Sequence, residues 1–296
     1  MTMAALNLAR RPAVGHPGAV PCAEDRLSPR DFARLAAHIY KACGITMPEA
    51  RRGMLEGRLR RRMRLLELDS FADYCNWLFD EANLAEETPA LVNAVTTNKT
   101  DFFREPAHFA VLRDVVLPDL AARSRRALRV WTAACSTGPE AYTLAMVLDA
   151  FANERQGQDY AILATDIDTD VLEIARRGVY PSASVDPVPT VLRQRYVMPA
   201  LDRRRQECRI VPELRSAIGF AQMNLMQATY PVGEPMDVIF CRNVLIYFDK
   251  PTQTRIVAQL VDYLRPGGYL FLAHSEAAVG VHPQLTPIAC AAFKKR

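Results

Sequence analysis

The chain has 296 residues, half of them hydrophobic, and its 37 Lys and Arg against 33 Asp and Glu give a formal charge of +4. That material suffices for one sizeable core and a smaller satellite domain, and so mild a charge does not by itself imply a strongly nucleic-acid-binding chain, so any basic partner surface must be local. Seven cysteines (Cys22, Cys43, Cys75, Cys135, Cys208, Cys241, Cys290) without a CxxC pair and five histidines without zinc spacing point to free thiols in a reducing compartment and to no structural metal.

Residues Met1 to Asp25 contain Pro12, Pro17 and Pro21 and no periodicity, so a mobile tail is expected over 1–26. No apolar run reaches the length of a membrane span, and Met3 to Leu8 is too short for a secretory core. A cytoplasmic protein is expected. Ser28 then opens a helix, with Pro29 at its first position, Asp31 completing the cap and Gly44 ending it. A second helix follows over Pro48 to Leu68, with Leu55, Leu59, Met63 and Leu66 on one side and Arg60, Arg61 and Arg64 opposite; Arg51, Arg52, Arg58 and Arg62 flank the stripe. Ser70 with Asp73 caps a third helix, and a fourth is predicted over Glu86 to Thr96. These elements make a small all-helical domain over 27–92, which a connecting segment over 93–104 follows.

Beyond Asn98 strands and helices alternate, with strands expected near Ala127 to Ala134, Tyr160 to Thr165, Ile218 to Met223, Met236 to Cys241 and Gly268 to His274. That alternation predicts an α/β domain over 105–296 with a doubly wound parallel sheet. Between residues 178 and 217 the alternation breaks into prolines and short strand-like pieces, the mark of an inserted β-rich subdomain.

The strand ends carry the chemistry, because in open α/β sheets ligands sit at the carboxyl ends of strands. The first strand runs into a turn where Gly138 is followed by Pro139 and Glu140. A dinucleotide site would show GxGxxG, and Glu140 would repel a phosphate. It suits a cationic ligand such as S-adenosylmethionine, which bears an ammonium and a sulfonium; equally, it could complement the positive end of its own helix. The second strand ends at Asp166, where an acidic residue accepts ribose hydroxyls, and Asp168 or Asp170 caps the next helix. Asn224 and Leu225 end the third, offering an amide and an apolar wall to adenine or simply forming a turn. The fourth, within VIFCRNVLIYF (Val238 to Phe248), delivers Arg242 and Asn243, with Tyr247 beyond. Nothing in a buried strand calls for that guanidinium.

With these residues in hand the chain resembles the CheR-type chemotaxis receptor glutamate methyltransferases. The resemblance spans roughly Ser28 to Lys294 and rests on TNKTDFFRE, ACSTGPEAY, ATDIDTDVL, CRNVLIYFDK and GGYLFLAHSE. It implies a helical N-terminal domain, a Rossmann-like S-adenosylmethionine-dependent methyltransferase domain and an inserted small β-subdomain. It further implies that Asn98, Thr100, Arg104, Glu140, Asp166, Asn224, Leu225, Arg242 and Asn243 line the cofactor site, Arg104 pairing with the methionine carboxylate, while Arg242 and Tyr247 face the acceptor. Two departures stand out. Pro139 replaces a common glutamate, and Met198 to Val211 lacks the glycine-containing loop of members that tether to a receptor pentapeptide, so tethering is not expected. Nor is a TPR-like extension.

A glutamate acceptor, with a reference pKa of about 4.3, is ionised at neutral pH and needs no general base. The work falls on alignment, with Arg242 and Tyr247 orienting the carboxylate and Phe102 and Phe103 supplying an apolar wall or plain packing. The basic face of the second helix (Arg51, Arg58, Arg60, Arg61, Arg64) is expected to dock on the acidic helical bundle of a receptor. The implied enzyme is a monomer, recruited to membrane-bound receptor arrays without inserting in the membrane. Two other readings are a nucleic-acid methyltransferase and a receptor-binding scaffold with a dead cofactor site. The first lacks the expected [DNS]PP[YFW] motif, and Cys241 follows Phe240 rather than a proline, so that thiol is expected to be packing.

Overall fold

The computed structural model describes residues 25–124, 126–154, 158–202 and 204–296, so most of the expected tail lies outside the described residues, as does Cys22. These residues form two units: 25–38 with 47–95, and 39–46 with 96–296.

The first unit is helical: α1 (Pro29–Cys43, of which the end belongs to the second unit), α2 (Arg52–Leu65) after a 3-10 turn over Glu49–Arg51, α3 (Phe71–Leu78) and α4 (Glu81–Val95). Ser28 Oγ accepts from Asp31 N at 3.0 Å, and Ser70 Oγ from Asp73 N at 3.1 Å, satisfying first-turn amides. The fourth helix starts five residues earlier than expected, because the Asp80 carboxylate accepts from Ala82 N at 3.2 Å and so begins the helix there. Leu35, Leu55, Leu59, Met63, Phe71, Tyr74 and Leu78 fill the interior. Two buried carboxylates tie it together. Glu56 accepts from Leu27 N at 3.0 Å, and Glu87 takes a bidentate grip from Arg62 (2.8 and 2.5 Å) plus the Tyr74 hydroxyl at 3.2 Å.

The basic face is therefore smaller than expected. Arg58 donates to the carbonyls of Ala94 and Val95, while Arg60 donates to the Asp25 carbonyl at 2.6 Å and stacks over Phe71. These two guanidiniums serve the unit's own structure, since a carbonyl left unpaired at a helix end costs more than a solvated arginine gains. Arg61 and Arg64 are exposed and Arg51 is half-buried.

The second unit opens with α5 (Pro106–Val111), one π turn (Leu112–Val116) and α6 (Leu117–Arg123). The wide turn precedes Pro118, whose missing N–H and bulky ring disfavour a regular α-helical turn there. Then come β1 (Leu128–Ala133), α7 (Pro139–Glu154), β2 (Tyr160–Asp166) and α8 (Thr169–Arg177). The cap of α8 is Asp168 rather than Asp170, its carboxylate accepting from Asp170 N at 2.9 Å and Val171 N at 3.3 Å. An inserted three-stranded antiparallel sheet, ordered β3-β5-β4, is built from β3 (Val179–Pro181), β4 (Val197–Pro199), preceded by α9 (Thr190–Tyr196), and β5 (Glu207–Ile210). The chain returns through α10 (Pro212–Ser216) to β6 (Ile218–Gln222), β7 (Met236–Cys241), α11 (Lys250–Asp262), β8 (Leu264–Leu272), β9 (Leu285–Ala289) and β10 (Ala292–Lys295).

The main sheet runs β6-β2-β1-β7-β8-β10-β9. Its first five strands are parallel, in line with the predicted doubly wound core, whereas β10 and β9 pair antiparallel along one edge. The sheet is thus mixed. Those two edge strands were not among the expected ones, being short and joined by a turn without a helix, so they lack the strand-helix alternation of a buried parallel unit. Apolar clusters cover both faces: Val130, Leu144, Val238 and Phe240 in one, Trp131, Ile239, Ile256 and Leu270 in the other.

Candidate active site

Going outward from the centre, β1 is flanked by β2 and β7, and the helices after them leave in opposite senses, opening a crevice at the carboxyl ends. A cleft of about 970 Å³, counting its open mouth, lies there. It is lined by the ends of four strands: Ala134 and Ser136 after β1, Asp166 and Ile167 at β2, Met223 to Leu225 after β6, and Arg242 to Val244 with Tyr247 after β7. Cys43, Ile45, the segment Thr96 to Asp101, Arg104, Phe109, Glu140, Thr165 and Phe248 complete the lining. All ten residues singled out in the sequence for cofactor or acceptor meet in this one cleft: Asn98, Thr100, Arg104, Glu140, Asp166, Asn224, Leu225, Arg242, Asn243 and Tyr247.

Asp166 is buried. One carboxylate oxygen accepts from Ser136 N at 2.8 Å and the other from Asp168 N at 3.0 Å, leaving a further lone pair on each for a ligand. Burial pushes its pKa up to about 6 against the lowering effect of these amides. The β1 turn that donates Ser136 N has Ala134 at φ 74° and Ser136 at φ 52°, a left-handed backbone rare in side-chain-bearing residues. It is pinned from both sides, since Ser136 Oγ donates to the Asn98 carbonyl at 2.9 Å and Asn98 Nδ2 donates to Asp168 at 2.7 Å. Asn98 thereby positions the turn that frames Asp166.

Arg242 is almost wholly buried, its guanidinium held by Glu140 at 3.0 Å, Glu105 at 3.2 Å and the Arg104 carbonyl at 2.6 Å, beneath the rings of Phe109 and Phe240. Burial alone would raise the Glu105 pKa; the nearby Arg242 charge and its hydrogen bond outweigh that and hold it below the usual range. Thr132 donates to the other oxygen of Glu140 at 2.7 Å. Both Nη nitrogens thus serve Glu140, Glu105 and the Arg104 carbonyl, whereas Nε is buried without a hydrogen-bond partner among the described residues, so Arg242 is the post on which Glu140 and the Arg104 backbone are hung and keeps one donor unused. Arg104 itself is half-buried, its Nη1 donating to the Lys99 carbonyl at 3.0 Å.

Asn224 lines the cleft with its carboxamide partly engaged. Nδ2 donates to the Ala42 carbonyl at 2.7 Å and Oδ1 accepts from Met226 N at 2.9 Å, which fixes the side chain and leaves one N–H and one lone pair. Phe102 and Phe103 are not on the lining; Phe102 stacks edge-on against Tyr180 in the core and Phe103 packs on Phe109, which reaches the cleft along with Tyr247 and Phe248. Cys241 is fully buried and its thiol is pushed well above its ordinary value by burial.

Sequence reasoning passed over Glu276. Its buried carboxylate accepts from Asn243 N at 3.0 Å, Ile246 N at 3.3 Å and Ala273 N at 3.1 Å, and burial raises its pKa despite those bonds. Asn243 stands at φ 58°, so Glu276 is what holds the turn that presents Asn243 and Tyr247. The signal was present in the GGYLFLAHSE motif, a carboxylate just past an apolar strand with no solvent-facing reason to be there.

The residues fit an S-adenosyl donor. Asp166 has the two free lone pairs a ribose diol needs, Met223, Leu225 and Val244 give a flat apolar ligand a wall, and Glu140 supplies negative charge toward cationic groups.

Comparison with known proteins agrees. Residues 98–293 match the family model described as CheR methyltransferase, SAM binding domain, and residues 30–96 match CheR methyltransferase, all-alpha domain. The chain is 42% identical over 246 residues to chemotaxis protein methyltransferase 2 of Pseudomonas aeruginosa, covering 83% of this chain and 86% of that one. It is 40% identical over 250 residues to the chemotaxis protein methyltransferase of Escherichia coli, covering 84% and 85%. A TehB-like SAM-dependent methyltransferase from Corynebacterium glutamicum aligns at 13% identity with a TM-score of 0.37 over 73% of this chain and 97% of that one, a slight likeness that adds nothing to the argument. Two family matches that together span most of the chain and close relatives along nearly the same length leave one conclusion: the chain belongs to the CheR methyltransferase family and is an S-adenosylmethionine-dependent methyltransferase.

Proposed function

We propose that the chain transfers the methyl group of S-adenosylmethionine to the side-chain carboxylate of glutamates in chemotaxis receptors, giving a methyl ester. What carries this reading is the meeting of ten residues, some read from the strand ends and the others carried over from the family resemblance, in one cleft at the carboxyl ends of β1, β2, β6 and β7. When bound, S-adenosylmethionine supplies a methyl group activated by its sulfonium.

The chain's own residues bind and align. Asp166 receives the ribose hydroxyls, and Arg104 pairs with the donor's carboxylate. Thr100 closes the cleft around the donor, and Asn98 keeps the β1 turn in place. Arg242 fixes Glu140 and the Arg104 backbone from behind. Asn243 and Tyr247, on the turn held by Glu276, orient the acceptor carboxylate at the mouth. No proton need be removed from an ionised glutamate, and among the described residues no histidine lies on the lining; the Cys43 thiol there is pushed up to about 11 by burial and is a poor nucleophile. Phe109, Val244 and Phe248 keep water from the reacting line, which favours a step in which opposite charges are neutralised.

The receptor partner meets the helical unit through Arg61 and Arg64, exposed on α2, so the enzyme acts as a monomer recruited to receptor arrays by charge rather than by a pentapeptide tether. No helix among the described residues is long and apolar enough to cross a membrane.

Calorimetry with S-adenosylhomocysteine and labelled methyl transfer to receptor membranes and to RNA test this together. Product binding with label on receptors alone is expected. Absence of binding would identify a scaffold with a dead site, and label on RNA a nucleic-acid enzyme.

A further inference from the structure

Behind the Arg242 guanidinium three side chains from two distant stretches meet: Glu105 just before α5, His108 within it, and His274 just past β8. They offer one donor atom each within 4.8 Å of one another. The Glu105 carboxylate oxygen lies 2.9 Å from His274 Nδ1 and 3.3 Å from His108 Nδ1.

The tautomer of His108 follows from its other nitrogen. Nε2 meets the Cys290 backbone carbonyl, which can only accept, so Nε2 carries the proton. In the neutral ring Nδ1 is then a bare lone pair. It is buried without a hydrogen-bond partner, and it faces a carboxylate oxygen that offers only more lone pairs. Charging the ring would create a donor, but complete burial of the side chain beside Arg242 opposes that charge. Glu105 Oε2 is answered by Arg242 and His274, but the buried Nδ1 lone pair turned toward it is an uncompensated cost that a cation between the two removes.

We propose that Glu105, His108 and His274 form a divalent metal site of the two-histidine, one-carboxylate type, which suits Zn2+ and the neighbouring first-row ions and leaves a position open to solvent. His108 and Glu105 already have the supporting bonds such sites use. His108 gives its far N–H to a backbone carbonyl, and Glu105 is bridged to Arg242 at 3.2 Å. The His274 side chain is 52% exposed and provides the way in. Its ring stacks on His108 at 4.7 Å and 11°, so it tilts to bring its lone pair into the plane of the ion. Histidine spacing along the chain hid this cluster, because its members are separated by most of the sheet domain; the expectation of no metal rested on spacing alone.

The whole chain, stripped by a chelator, should be dialysed against Zn2+ and titrated with Co2+ while visible absorption is followed. One ion per chain is expected, with a Co2+ spectrum of nitrogen and oxygen ligands. His274→Ala should weaken binding at least tenfold, His282→Ala should leave it unchanged, and His274→Cys should restore binding with a new sulfur-to-cobalt band. Failure to bind a stoichiometric ion, binding undiminished in His274→Ala, a sulfur band in the unaltered chain, or no new band in His274→Cys would each overturn the site. These readouts follow the metal and not methyl transfer, so they stand or fall apart from the proposed function.

Discussion

Asp166 keeps a carboxylate out of water at the one strand end where a ribose would need it. With burial pushing its pKa up to about 6 from an ordinary value of about 4, the folded chain holds a proton that the unfolded chain has released between those two pH values. Stability therefore falls as pH rises through that window and the cost is complete above about 6. Donor binding runs the other way, because the ionised form accepts both hydroxyls. We expect S-adenosylhomocysteine affinity, measured by calorimetry, to drop by about tenfold per pH unit below 6 and to be level above it; Asp166→Asn should remove that dependence along with most of the affinity. Arg242 presents the contrary case, a buried cation with two carboxylates. Arg242→Ala strands Glu140 and Glu105, and we expect a loss of about 3 kcal/mol in urea unfolding, the low end for a broken buried pair because both carboxylates keep some exposure. Turnover should fall by about a hundredfold or more through misplacement of Arg104 and Glu140. The residue types at the strand ends were legible in the sequence; their pairing was not, since nothing in CRNV says that its guanidinium is answered from Glu105 and Glu140.

At the scale of elements, the legible parts were those with local causes. Ser28 and Ser70 cap the helices they precede, and the strands with continuous apolar runs lie within a few residues of their predicted limits. What escaped had non-local causes: β9 and β10 exist because they pair with each other and with β8, and Glu276 matters because the turn after β7 comes to it. Helix α2 shows the same limit. Its arginines look alike in sequence, yet Arg58, Arg60 and Arg62 are tied to partners within the helical unit while Arg61 and Arg64 face solvent. Replacing both exposed residues by Glu should raise the apparent KM for receptor roughly fivefold and lessen its salt dependence, with kcat unchanged, because exposed charges act mainly on encounter. Equal kinetics on receptor membranes for this variant and the parent would remove α2 from the docking surface.

For the molecule as a whole, the sheet order explains why one cleft can serve donor and acceptor at once. The ends of β2 and β7, one on each side of β1, bring the Asp166 carboxylate and the turn of Asn243 and Tyr247 to the same cleft, where under the proposed function they meet the nucleoside and the acidic side chain. An enzyme so arranged needs alignment and dryness, not a base, and its product should be an ester and not an amine. The direct measurement is the nature of the bond formed: receptor labelled with tritiated methyl from S-adenosylmethionine, then treated with alkali. Release of the label as volatile methanol is the predicted result. Label that stays on the receptor through alkali would place the methyl on nitrogen or carbon and contradict transfer to a carboxylate.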